Sequence, residues 1–224
     1  MQQKIIFFLF LLFSIFIHKP LMAQNSYHSD DKLLHFGFSL GFNAMDFGVT
    51  SSNGGVAADV SNLRPGFSVG IVSDLMLNRY LNLRFTPTLH FGERELTFKG
   101  LGSVIIPSSP VSIPFYLKYS AERYGDFRPY ILGGGGAYFD LGRSNENPIL
   151  LKTFDTFMEV GVGCDIYFSF FKLAPELKFG FGFNNMLTPW DSRDTGLLNP
   201  TDRQYSDALS KLKSRFISLT FNFE

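Results

Sequence analysis

His35, His90, Asp155 and Glu159 are the side chains of this sequence best suited to chemistry. All four fall on the polar positions of alternating segments, so their side chains share one face of a sheet. Together they could hold a metal ion or pass a proton between imidazole and carboxylate. Their separations match no metal-ligand pattern, and hydrogen bonding within a polar interior accounts for them equally well. Ser39 lies near His35 and suggests a lipid hydrolase, but nothing orients the imidazole as a catalytic triad requires. No nucleophile elbow, Walker loop, zinc motif or EF-hand loop occurs. The run Gly133 to Gly136 lacks the Lys-Ser/Thr that would follow a phosphate cradle. The expectation is a protein that is not an enzyme, with no cofactor, no metal and no small-molecule substrate.

The elements that would position these residues are strands. In residues 34–44, Leu34, Phe36, Phe38, Leu40, Phe42 and Ala44 alternate with His35, Gly37, Ser39, Gly41 and Asn43. Period two over eleven residues is the length of one membrane-crossing strand. The pattern returns in residues 67–72, 81–91, 111–120, 129–141, 155–166, 171–184 and 217–224, giving eight strands. Pro87, Pro114 and Pro175 fall inside them and predict bulges or strand ends, because Pro cannot donate to a ladder. The four glycines from Gly133 blur the fifth strand and permit sharp curvature, or close approach of a partner.

The connections alternate. Residues 77–79, 121–126 and 169–170 are short, whereas 47–63, 94–110, 142–153 and 185–213 are long. Short periplasmic turns and long extracellular loops are the build of outer-membrane barrels. A lipocalin-like soluble barrel would have the same strand number with the faces inverted. An eight-stranded barrel has room only for its own side chains. The Gly, Ser and Asn of one face suit that narrow lumen, and the Phe and Leu of the other suit lipid. The predicted fold is therefore all-β, an eight-stranded antiparallel up-and-down transmembrane β-barrel with short periplasmic turns and long extracellular loops.

Composition agrees. The chain has 224 residues, of which 27 are Phe and only 18% are charged, below the roughly 25% of soluble proteins. A formal net charge of zero excludes the basic surplus that nucleic-acid binding needs. Cys164 stands alone, so no disulfide frames the fold. At the N-terminus, Lys4 precedes an apolar run of 13 residues, Ile5 to Ile17, and then Leu21-Met22-Ala23. That is too short to span as a helix, and reads as a signal peptide cleaved after Ala23. The domains are then residues 1–23, the signal, and 24–224, the barrel, exported through the inner membrane to the outer membrane and its lipid.

The tight turn at Ser169-Phe170 sets a register. Phe168 pairs with Phe171, Glu176 faces Gly163, Lys178 faces Gly161, and Glu159 faces Gly180, so each lumen charge lies opposite a glycine. Diagonal neighbours would form two lumen ion pairs, Glu159 with Lys178 and Asp165 with Lys172. In the last long loop, Asn199-Pro200 could open a helix in which Tyr205, Leu209 and Leu212 make one stripe. That helix would either pack on the barrel rim or dock a partner protein.

Four stretches carry a resemblance to a known family. They are Asp31-Lys32-Leu33-Leu34-His35-Phe36-Gly37-Phe38 running on to Met45-Asp46-Phe47; Arg64-Pro65-Gly66-Phe67 through Leu83-Arg84-Phe85-Thr86-Pro87 to Phe91-Gly92-Glu93-Arg94; Pro114 to Tyr119 with Arg128-Pro129-Tyr130; and the tail from Asn199-Pro200 to Glu224. In this order they resemble the PorT family of outer-membrane proteins. The resemblance implies a part in the type IX secretion system, which carries folded cargo to the cell surface and delivers adhesins in gliding bacteria. It implies other secretion-system proteins as partners, no cofactor and no catalytic residues. A narrow barrel cannot pass folded cargo, so the implied role is accessory or in assembly. The alternative is a general small outer-membrane barrel that stabilises the membrane or binds a ligand.

Overall fold

The structure, a computed structural model, describes residues 33–51, 58–60, 64–142, 147–192 and 203–224. The predicted signal peptide, residues 1–23, and the Asn199-Pro200 helix start lie outside the described residues. Among the described residues there are eleven strands: β1 (Leu34–Ser51), β2 (Ala58–Val60), β3 (Arg64–Met76), β4 (Leu81–Phe85), β5 (Thr88–Phe98), β6 (Gly102–Ser108), β7 (Pro110–Ser120), β8 (Phe127–Asp140), β9 (Phe154–Tyr167), β10 (Lys172–Gly182) and β11 (Leu209–Phe223). One short α-helix, α1 (Arg203–Asp207), precedes β11.

Neighbouring strands pair antiparallel throughout, and the pairings form a ring. β1 pairs with β11 on one side and with β3 on the other, so neither end of the sheet is left as an edge. The third predicted strand is split. Residues Thr86 and Pro87 separate β4 from β5, which pair in turn with β3 and β7. Pro175 marks a second interruption: the β9–β10 ladder skips from Leu173↔Ile166 to Glu176↔Gly163. Counted this way, eight strands span the barrel, while β2 and β6 only extend β5 at the long-loop end.

The two faces have the polarity of a membrane barrel. Phe36 is 69% exposed and Phe42 64%, whereas Arg84 is 0% exposed and Glu176 1%. Outward phenylalanines stack across the ladders, Phe38 on Phe223 and Phe85 on Phe115, with centroids 4.8 and 4.7 Å apart. The lipocalin-like arrangement, polar outside, is thereby excluded.

Two expectations about loops are corrected. Residues 94–110 form the β5–β6 hairpin instead of an irregular loop, because Arg94, Leu96 and Phe98 continue the inward parity of β5. The stripe Tyr205, Leu209, Leu212 is not a helix. Only Tyr205 lies in α1; Leu209 and Leu212 belong to β11 and are buried. Their spacing of three arises from a bulge, since Thr50 pairs with Lys211 and Ser51 with Leu209, leaving Ser210 unopposed. A bulge and a helical turn both return two side chains to one face after three residues, and the apolar cluster at this mouth selects the bulge.

Candidate functional site

The lumen is the place where polar chemistry concentrates, and its contents are layered along the axis. At the short-turn end, Arg84 on β4 reaches three carboxylates. Its Nη2 donates to Asp74 Oδ2 at 2.6 Å and to Glu224 Oε1 at 2.8 Å, and its Nη1 donates to Glu176. Lys118 on β7 lies 2.7 Å from Asp165 and 3.4 Å from Asp74. Lys172 meets Glu224 at 2.7 Å, and Lys178 approaches Glu176 at 3.7 Å. Four cations thus face four carboxylates, contributed by five strands and by Glu224 just past β11.

The turn-derived register is present: Glu176↔Gly163, Lys178↔Gly161 and Gly180↔Glu159 pair as expected, and Phe168 N donates to Phe171 O at 2.9 Å, while the lumen charge Lys172 faces Tyr167 and not a glycine. The ion pairs drawn from it are not. Among the described residues, neither Glu159–Lys178 nor Asp165–Lys172 is within ion-pair distance; Asp165 takes Lys118, and Lys172 takes Glu224. In so narrow a lumen, a long side chain reaches across the barrel as readily as along one sheet face. The strongest cation, Arg84, was visible in the sequence as a polar-parity residue of its strand, but its partners depend on which strands lie opposite.

Glycine makes this interior possible. On three adjacent strands Tyr116, Gly134 and Glu159 stand in one row. Because Gly134 has no side chain, Tyr116 lies over it and donates its hydroxyl to Glu159. The same construction recurs one step round the barrel, where Tyr130, Gly163 and Glu176 are in register and Tyr130 donates to Glu176 at 2.7 Å. A Cβ at Gly163 would enter the Tyr130 ring at 2.5 Å.

Above the charges lies an aromatic layer. Tyr138 stacks on Phe157 at 4.0 Å and meets Phe216 edge-on, with His90 beside it. His90 Nε2 is 3.0 Å from Ser112 Oγ. His35 pairs in register with Asp74 and His90 with Ser68, six residues apart on β3, or about 20 Å of strand. The two histidines therefore do not converge, and no set of three His, Cys, Asp or Glu side chains among the described residues could hold a metal. At the long-loop mouth a third layer closes the barrel with Phe47, Leu96, Phe98, Ile149, Leu209 and Leu212 among others. Tyr205 of α1 joins it, donating to Leu101 O at 2.7 Å and meeting Phe98 edge-on.

Ion pairs, aromatic rings and an apolar lid in series leave a plug in place of a channel. Reconstituted in a planar bilayer, the chain is expected to pass no steady ionic current; stable stepwise conductance would show that the plug opens.

Residues 22–188 match the family described as the outer membrane protein beta-barrel domain, and the chain belongs to that family. It is an outer-membrane β-barrel protein whose apolar belt contacts membrane lipid. No curated protein matches it in sequence. Among solved structures it is similar to neisserial surface protein A, at 11% identity over 85% of this chain and 98% of that one, with a TM-score of 0.45. OprG from Pseudomonas aeruginosa is similar at 12% identity over 84% and 93% of the two chains, with a TM-score of 0.46. AlkL, determined in lipid bilayers, is similar at 12% identity over 93% and 94%, with a TM-score of 0.40.

Proposed function

We propose that this chain is a non-enzymatic component of the type IX secretion system, needed for export of cargo to the cell surface and acting in assembly or as an accessory through protein contacts. The observation that carries the reading is the filled lumen. A barrel plugged by Arg84 and its carboxylates at one end and by the Phe47–Leu212 cluster at the other has no conduit to offer folded cargo. Its work is left to its outer face and rim, with a separate, larger pore carrying the cargo. The ordered motifs that resemble the PorT family supply the system; the barrel family alone supplies only the membrane. In this reading residues 1–23 are the export signal and are lost from the mature chain.

The experiment is deletion of the gene with re-expression of the intact chain. Unprocessed cargo should accumulate in the periplasm of the deletion strain and return to the surface and medium on re-expression. Normal export in the deletion strain would overturn the secretion role and leave a general small barrel. Substitution of His35 or His90 by Gln should leave export unchanged, as a non-enzymatic role requires.

A further inference from the structure

The outward face of β11 changes character along its length. Ile217, Leu219 and Phe221 belong to the apolar belt, but the next outward positions toward the long-loop end are Arg215, Lys213 and Lys211. Three cations in a row begin where the belt ends. Among the described residues no carboxylate lies within ion-pair distance of any of them. Asp46, opposite Arg215 in the register, directs its Oδ1 to its neighbour's amide, Phe47 N, at 2.5 Å. By contrast, the outward Glu93 and Glu95 of β5 are both engaged by Arg64, at 2.9 and 3.0 Å.

The backbone around these cations forms a recess. The β10–β11 ladder stops at Phe181↔Arg215, whereas β1 follows β11 up to Leu209. Where β10 departs, a groove of about 400 Å³ opens, lined by Lys211, Lys213, Arg215, Gly48, Phe181 and Phe183. Gly48 is bare, and the Arg215 guanidinium lies against it; a Cβ there would sit 2.9 Å from Nη2. Directly below, sharing Phe181 and Arg215, a second groove of about 190 Å³ is lined by Ala44, Asp46, Phe179, Gly180 and Ile217, with Asp46 its one carboxylate. Basic above and largely apolar below, the pair straddles the point where the outward face of β11 turns from apolar belt to charge.

We infer that this paired groove binds a phosphorylated glycolipid of the outer leaflet, with the phosphate on Lys211, Lys213 and Arg215 and an acyl chain in the lower groove. Guanidinium and ammonium groups make charge-assisted hydrogen bonds to phosphate oxygens that they cannot make to a zwitterionic surface without competition from its own cation. Lys and Arg at a membrane boundary also extend their charged heads to the headgroups while their stems lie in the apolar region. The inference rests on the membrane orientation alone and stands whether or not the chain serves secretion.

The test uses the full chain folded in detergent and native mass spectrometry of retained lipid, with diphosphoryl lipid A as the probe and phosphatidylcholine as control. Lipid A should be retained preferentially. The triple variant Lys211→Gln, Lys213→Gln, Arg215→Gln should lose about tenfold or more of that retention. Ala44→Phe, which fills the lower groove while keeping all three cations in the chain, should weaken it too. Heat-modifiable migration on gels confirms that each variant is folded, and the double variant Lys211→Gln, Lys213→Gln carries the test should the triple fail. Equal retention of the two lipids by the unaltered chain, or undiminished lipid A on the charge variants, overturns the inference. Displacement of lipid A by millimolar inorganic phosphate would do so as well, since it would make the occupant a free anion.

Discussion

Arg84→Met is expected to destabilise the barrel by about 3–5 kcal/mol, the range for removing one partner from a buried charge network. The magnitude follows from what is left behind. Asp74, Glu176 and Glu224 all lean on this one guanidinium, and the side chains of all three are 0% exposed. Lys118 and Lys172 remain close to Asp74 and Glu224. Glu176 keeps only Lys178 at 3.7 Å and the Tyr130 hydroxyl. Most of the loss should therefore sit on Glu176, and the double variant Arg84→Met, Glu176→Gln should recover part of it. Arg84→Lys should fall between, because an ammonium cannot fork toward three acids from two sides. The urea midpoint of the chain refolded in detergent, followed by heat-modifiable migration, measures all three. An unshifted midpoint for Arg84→Met would mean that lumen water solvates these carboxylates in place of the guanidinium.

How much of this was legible in the sequence depends on the range of the interaction. Parity is local, so the inward and outward faces of the eight spanning strands could be read residue by residue, whereas β2, β6 and the ends of β1, β5 and β11 fell in stretches read as long loops. A two-residue turn fixes the register of the strands it joins, so Glu176 opposite Gly163 was legible too. Beyond nearest strands the signal ends. That Arg84 reaches Glu176 depends on β4 and β10 lying across the lumen from one another, which is set by closure and stagger of the whole ring. The same limit explains Leu209 and Leu212. Their spacing fits a helical turn or a bulge, and only the neighbouring β1, with Thr50 and Ser51 in register, decides between the two. Pro87 was legible as an interruption, but not as the point where one predicted strand divides into β4 and β5.

The glycine run offers the second large effect, because its four members occupy the same strand in different surroundings. Gly134→Ala should reduce the folded fraction sharply, at the upper end of the roughly 1–3 kcal/mol typical of overpacking or above it. A Cβ at Gly134 would collide with the backbone carbonyl of Phe115 and stand 2.7 Å from Tyr116 Cα. Neither atom can move without breaking the β7–β8 ladder, and Tyr116 is the residue that spans this glycine to hold Glu159. Gly135→Ala should cost less, since its nearest neighbour, Phe157 O, is 2.5 Å away and the next atoms 3.5 Å. At Gly133 the nearest atom is Glu159 O at 4.0 Å, so Gly133→Ala should lie within about 0.5 kcal/mol of the unaltered chain. Chain entropy and strand propensity both favour Ala over Gly in a strand at unstrained backbone angles, and no glycine of this run has a positive φ. Those general effects would stabilise all three variants alike. A graded order, with Gly133 tolerant and Gly134 not, can come only from the approach of β7 and the tyrosine laid across the gap. Equal effects at the three positions would instead make the run a matter of flexibility, and would remove the reason for Tyr116 and Glu159 to meet where they do.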